Sequence, residues 1–154
     1  MMAPQPSAAQ PPMDDPHDLQ RFVDAQAEVI EQVFAELRVG RKRSHWIWFV
    51  FPQIAGLGHS AMAVRYAIAS RDEALAYLRH PVLGPRLTAC TTLVNRVAGR
   101  SLHDILGHPD ELKFHSSMTL FAQVAPDPRV FDDALAKFCE GRLDEHTVER
   151  LQAL

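Results

Sequence analysis

The chain has 154 residues, with Lys+Arg 16 against Asp+Glu 19, a formal net charge of -3, 47% hydrophobic and 23% charged residues. Those proportions exclude wholesale disorder, coiled-coil or collagen-like fibres, and any global field that would drive nonspecific binding to nucleic acid or acidic lipid. A chain of this length buries roughly 68–70% of its unfolded surface as one domain, so it folds without staples.

Only Cys90 and Cys139 are present, far apart and without a CxxC spacing. This argues against a zinc module, a redox pair or a disulfide framework. No apolar run approaches the ~18 residues of a membrane span, and the N-terminus carries neither a basic stretch nor a hydrophobic leader. The expectation is a reduced, cytoplasmic protein without membrane or nucleic-acid partners.

In chain order, residues 1–14 hold Pro4, Pro6, Pro11 and Pro12 and no large apolar residue except methionine. They cannot offset their own ordering entropy and read as a disordered tail, leaving 15–154 as a single helical domain. Asp15, Pro16 and Asp18 form a helix-start signature. The stripe Leu19, Phe22, Val23, Ile30, Val33, Phe34, Leu37 then predicts one long helix closed by Gly40. Gln26 falls on its apolar face, where an amide needs buried partners.

Ser70 with Glu73 predicts a capping box and a helix through Leu78, stopped by Pro81. A helix from about Pro85 to Ala98 ends at Gly99, and Ser101–Leu106 is one turn or two. Pro109, Asp110 and Glu111 open a helix to about Val124. Asp127 and Pro128 open the next, carrying Phe131, Ala134, Leu135 and Phe138, with Gly141 after it. Asp144–Leu154 is a last helix. No alternating strand pairs or Asn-Gly hairpins occur, so the fold class is all-α. Trp46–Phe51 has strand propensity, but a lone strand leaves its backbone groups unpaired. It therefore reads as a short buried helix capped by Ser44 and ended at Pro52.

Three constellations stand out. Arg38, Arg41, Lys42, Arg43, Ser44, His45 and Trp46 place a basic run against the most hydrophobic segment. If Ser44 caps a helix, cations and free amides converge there as an anion site, while the plain alternative is a solvated basic turn that complements a helix dipole. Gly56-Leu57-Gly58-His59-Ser60-Ala61 matches the dinucleotide fingerprint G-x-G-x-x-A, but Pro52 and the helix at Ser70 displace the strands that fingerprint requires. It reads as a tight turn whose glycines admit close approach of a ligand. Lys113, Ser116 and Ser117, with His115 and Thr119 nearby, form a polar helical patch. Its hydroxyls either serve a site or bond back to the preceding turn.

The eight histidines include no HExxH or i, i+4 pair, so no metal site is expected. Neither a G-x-S-x-G elbow nor a P-loop is present.

The runs Gly40-Arg41-Lys42-Arg43-Ser44-His45-Trp46-Ile47-Trp48-Phe49-Val50-Phe51-Pro52-Gln53, Gly56-Leu57-Gly58-His59-Ser60, His80-Pro81-Val82-Leu83-Gly84-Pro85-Arg86-Leu87 and Lys113-Phe114-His115-Ser116-Ser117-Met118-Thr119-Leu120-Phe121 resemble the bacterial domain-of-unknown-function family DUF eighteen-ten. The likeness spans Asp15 to Leu154, departing at Leu106, where the family usually has Phe, and at His115, where it usually has Arg or another residue. The resemblance implies a single all-helical domain with armadillo-like packing and buried central helices, and no established activity. Members are often catalogued as calpastatin. That label does not suit a chain able to bury a core, because such inhibitors are long, polar and disordered.

Two functions follow from these residues. The first is a pocket for a small anionic metabolite, nucleotide-like or phosphorylated, with enzymatic activity left open and the cofactor unknown. Arg41, Lys42 and Lys113 would supply charge, and Ser44, Gln53, Ser116, Ser117 and Thr119 hydrogen bonds. Trp46 and Trp48 would stack, Gly58 would admit the ligand, and His45 or His59 would transfer protons. It requires the basic turn, the glycine loop and the Lys113 face to line one cleft. The second is a non-enzymatic helical interaction module in which the same polar groups satisfy one another.

Overall fold

The computed structural model describes residues 14–154; the expected tail at 1–14 lies outside them, apart from Asp14. The chain is all-α, as its caps and stripes predict. In order it forms α1 (Gln20–Ala27), α2 (Ile30–Val39), α3 (Ile47–Val50), α4 (Ala61–Arg65), α5 (Arg71–Arg79), α6 (Leu83–Arg96), α7 (Leu102–Leu106), α8 (Asp110–Val124), α9 (Arg129–Phe138) and α10 (Glu145–Gln152). One hydrophobic core joins them, from Leu19 and Phe22 to Leu151. At its centre is α8, whose residues Ser116 to Phe121 are all buried. This helix packs against α3, α5, α7, α9 and α10. The short α3 lies between α1 and α8.

The N-terminal helix is not continuous. It breaks at Glu28 and Val29, Val29 leaving helical geometry at φ -120° and ψ -8°. The break lets each half bury its stripe on a different neighbour, α1 against α3 and α2 against α6. The start is also later than predicted. Asp15 accepts from the N–H groups of Leu19 at 2.7 Å and Gln20 at 3.0 Å, but Asp18 turns to φ 51° and the helix begins only at Gln20. Gly40 closes α2 in the left-handed conformation, donating to the Glu36 and Leu37 carbonyls.

Ser70, Ser101 and Asp144 cap α5, α7 and α10, each side chain accepting a main-chain N–H in the first turn. The reciprocal box predicted at Ser70 is not closed, because the Glu73 carboxylate accepts from Ala69 N–H at 3.2 Å and from Arg21 instead; Ser101 and Asp104 do complete one. Helix α6 starts earlier than Pro85 because His80 Nδ1 accepts from the N–H groups of Val82 and Leu83 and organises its first turn.

The Trp46–Phe51 segment is helical over Ile47–Val50, but Ser44 does not cap it: Trp46 holds the cap position without a side-chain bond to the helix's first turn, and the Ser44 hydroxyl donates elsewhere. The loop that follows is pinned by a parallel bridge in which Ala55 N–H donates to Ile68 O at 2.8 Å and Ile68 N–H to Gln53 O at 2.8 Å. Gln26 is buried in the core. Its Nε2 donates to Phe49 O at 2.7 Å and to the Tyr77 hydroxyl at 3.0 Å.

Candidate functional site

The basic turn does gather donors around an anion, and the anion is the protein's own. Glu36 Oε1 accepts from Arg43 N–H at 2.7 Å, Ser44 N–H at 3.0 Å and Trp46 Nε1 at 3.0 Å. Its Oε2 accepts from the Ser44 hydroxyl at 2.5 Å and from Gln32 Nε2 at 2.9 Å. Glu36 is only 5% exposed. Burial pushes its carboxyl upward, but the bonds from the Ser44 hydroxyl, the Arg43 and Ser44 amides and Gln32 outweigh it and lower the pKa to about 2. The carboxylate thus occupies the place that the first functional reading reserves for a ligand.

Around it, Trp46 is buried with Lys42 Nζ 5.0 Å over its ring, and half-buried Trp48 packs against the core. Lys42 reaches Ser44 O at 2.5 Å and Asp110 at 2.7 Å. Arg41 is exposed, as are His45 and His59.

An open cleft of about 770 Å³ lies between the Gln53–Gly58 loop, the first turns of α8, and α10. It brings together Gln53, Gly58, Lys113 and Ser116 from the predicted set. Arg41, Lys42, Ser44, Trp46, Trp48, His45 and His59 stand outside its lining, and Ser117 and Thr119 are buried in the core side of α8. Ser116 and Thr119 bond back to the Leu112 and His115 carbonyls, at 3.1 and 2.9 Å. They also anchor α10: the single Ser116 hydroxyl proton is shared between Leu112 O and Asp144 Oδ2, the latter at 3.2 Å, and Thr119 Oγ1 accepts from Asp144 N–H at 2.9 Å. The Ser117 hydroxyl is buried without a partner among the described residues.

Four titratable cleft residues escape sequence reasoning: His115 in this role, His146, Glu149 and Arg150. Arg150 lies directly over Gly56, where a Cβ would fall 1.6 Å from Nη2, and Gly56 has φ +97°. Only glycine permits both the conformation and the close approach. The hydrogen bonds and ion pairs of the described residues give Arg150 no partner, whereas Asp144 is engaged by Ser116 and by Thr147 at 2.6 Å. Lys113 stands 4.0 Å from Asp110, whose closer partner is Lys42. His115 Nε2 lies 2.7 Å from Arg142 O; a carbonyl only accepts, so this nitrogen carries the proton and Nδ1 of the neutral ring is the acceptor.

Neither thiol suits nucleophilic work near neutrality. Burial pushes Cys90 up to about 12 and Cys139 up to about 11. No helix among the described residues is long and apolar enough to cross a membrane.

A crystal structure of the conserved hypothetical protein Rv1873 from Mycobacterium tuberculosis superposes with a TM-score of 0.89 at 57% identity, covering 90% of this chain and 99% of that one. No curated protein matches the chain. Residues 16–151 match the family described as "Protein of unknown function (DUF1810)". With the helical order and the close structural relative in agreement, the chain belongs to that family.

Proposed function

We propose that the cleft between the Gln53–Gly58 loop, α8 and α10 binds a small anionic metabolite, nucleotide-like or phosphorylated, without the basic turn that the sequence reading required in the same cleft and whose donors Glu36 takes instead. The observation that carries this is Arg150, a cation seated on a glycine that pairs with neither carboxylate of the cleft lining: Asp144 is engaged by Ser116 and Thr147, and Glu149 stands 4.0 Å from His146. Its neighbours suit the same ligand. The main-chain N–H groups of Gly56, Leu57 and Gly58 make no backbone hydrogen bond among the described residues, and consecutive free amides form an anion-binding concavity. Lys113 and the Gln53 side chain also line the cleft. For proton transfer, His115 replaces His45 and His59 as the favoured group, because it lines the cleft with its tautomer held by Arg142 O.

The second reading, a non-enzymatic interaction module, draws on the interior: Gln26 and Glu36 are answered by protein atoms and need no ligand.

Thermal unfolding against inorganic phosphate, nucleoside mono- and diphosphates and sugar phosphates tests the cleft. A ligand at about 100 times its Kd should add roughly 2.7 kcal/mol, and the gain should vanish in Arg150→Gln and Lys113→Gln. Absence of any stabilising anion, or a stabilisation that survives both substitutions, removes the reading.

A further inference from the structure

Helix α6 packs on α2, α5 and α9, and its outward residues Pro85, Thr88 and Ala89 are exposed and uncharged. A groove runs along each side of this ridge. One, of about 320 Å³, has Phe34 and Leu93 in its walls and Arg38 and Arg96 at its rim. The other, of about 780 Å³, is bounded by Leu75, Leu78 and Val130, with Arg79 and Arg96 at its rim. Thr92 and Arg96 line both, so the two grooves flank one continuous surface.

The three arginines occupy the last turns of α2, α5 and α6, where a cation complements the helix dipole. Dipole compensation does not account for how they are held. Lys137 shows what a cation engaged with the end of α6 does: its Nζ donates to Asn95 O at 2.5 Å and Val97 O at 2.6 Å. Arg38, Arg79 and Arg96 make no such bond and no ion pair among the described residues; Arg38 only approaches the Phe34 ring, at 5.9 Å. Of the acids beside the larger groove, Asp127 is taken by Arg129 at 2.6 Å, leaving Asp133. The surface therefore joins apolar floors to an excess of unpaired, planar cations, a combination suited to carboxylates around an apolar stripe.

From this charge and shape we infer that the outer face of α6, with its two grooves, docks an acidic amphipathic helix of a partner protein. Leucine-type side chains would fill the grooves, and Asp or Glu would meet Arg38, Arg79 and Arg96. Helix α6 is 14 residues long, about 21 Å, so a partner helix of similar length spans the face. This site is separate from the Arg150 cleft and does not depend on it.

The test uses the full chain, isotopically labelled, and two synthetic helical peptides of about 14 residues. Both have Leu at i, i+3, i+4 and i+7; one has Glu and the other Lys at the remaining positions. The Glu peptide should bind saturably and shift the amide resonances of Phe34 and of Thr88–Arg96. Arg96→Glu and Arg79→Glu should each weaken it roughly fivefold or more, as should raised salt, and Ala89→Glu should block the ridge. These substitutions lie at exposed positions, and unchanged spectra elsewhere show that each variant is folded. Equal binding of the Lys peptide, perturbation confined to other surfaces, or affinity indifferent to the arginine reversals overturns the inference. So does concentration-dependent broadening of the same α6 resonances with dimerisation, which assigns the face to a second copy of the chain.

Discussion

Glu36→Ala should destabilise the protein by about 4 kcal/mol, lowering Tm by roughly 12 °C. The carboxylate is the common acceptor for Arg43 N–H, Ser44 N–H, the Ser44 hydroxyl and Trp46 Nε1. Its removal orphans donors at the point where the chain leaves α2 and turns into α3, and a buried donor without a partner loses its full desolvation cost. Because the lost group is an anion held by converging donors, formate or acetate should restore part of the Tm in Glu36→Ala and leave the wild type unmoved. Absence of that rescue, or a Tm drop below about 3 °C, contradicts the role assigned to Glu36.

The same residue sets an acid-stability window. Its pKa falls from 4.5 to about 2 on folding, so the unfolded chain takes up this proton first as pH drops. The stabilisation is present above pH 4.5 and is lost as pH falls toward about 2, an amount of about 3 kcal/mol. Urea unfolding of Glu36→Gln over that window should show a shallower loss of stability than wild type. Equal slopes would mean that other carboxylates dominate acid unfolding.

The second large effect is expected at Gly84. Alanine there would gain about 1 kcal/mol of helix propensity in an unencumbered helix. Here its Cβ would stand 2.1 Å from Leu78 O, a backbone atom with no rotamer to move. Separating the end of α5 from the start of α6 is the only relief, and overpacking of this kind costs about 3 kcal/mol, exceeding the propensity gain. Gly84→Ala should therefore lower Tm by roughly 6 °C. An unchanged or raised Tm would show that the α5–α6 junction yields freely.

The helix starts at Ser70 and Asp144 and the stop at Gly40 are legible because their bonds close within one helical turn. The candidate site was legible in part. Gly58, Lys113 and Ser116 carry local signals, a glycine turn and polar residues in an apolar helix, and they do meet in one cleft with Gln53. Arg150 carries no such signal. It looks like any exposed arginine on a terminal helix, and its place over Gly56, far away in sequence, exists only because α10 brings it there. The basic turn misleads for the opposite reason: its cations and amides are conspicuous, while Glu36, which satisfies them, is one more polar residue in a helix.

The sequence by itself determined an all-α chain, most helix boundaries to within a few residues, and the need of Gln26 for buried partners, since propensity, capping and apolar periodicity act over neighbouring residues. Only the tertiary structure decided that the first helix breaks at Val29, that Glu36 fills the basic turn, and that Arg150, Lys113 and His115 share an open cleft. Those outcomes depend on how helices pack across long stretches of chain, where one carboxylate or one glycine settles which donors are answered and which stay free.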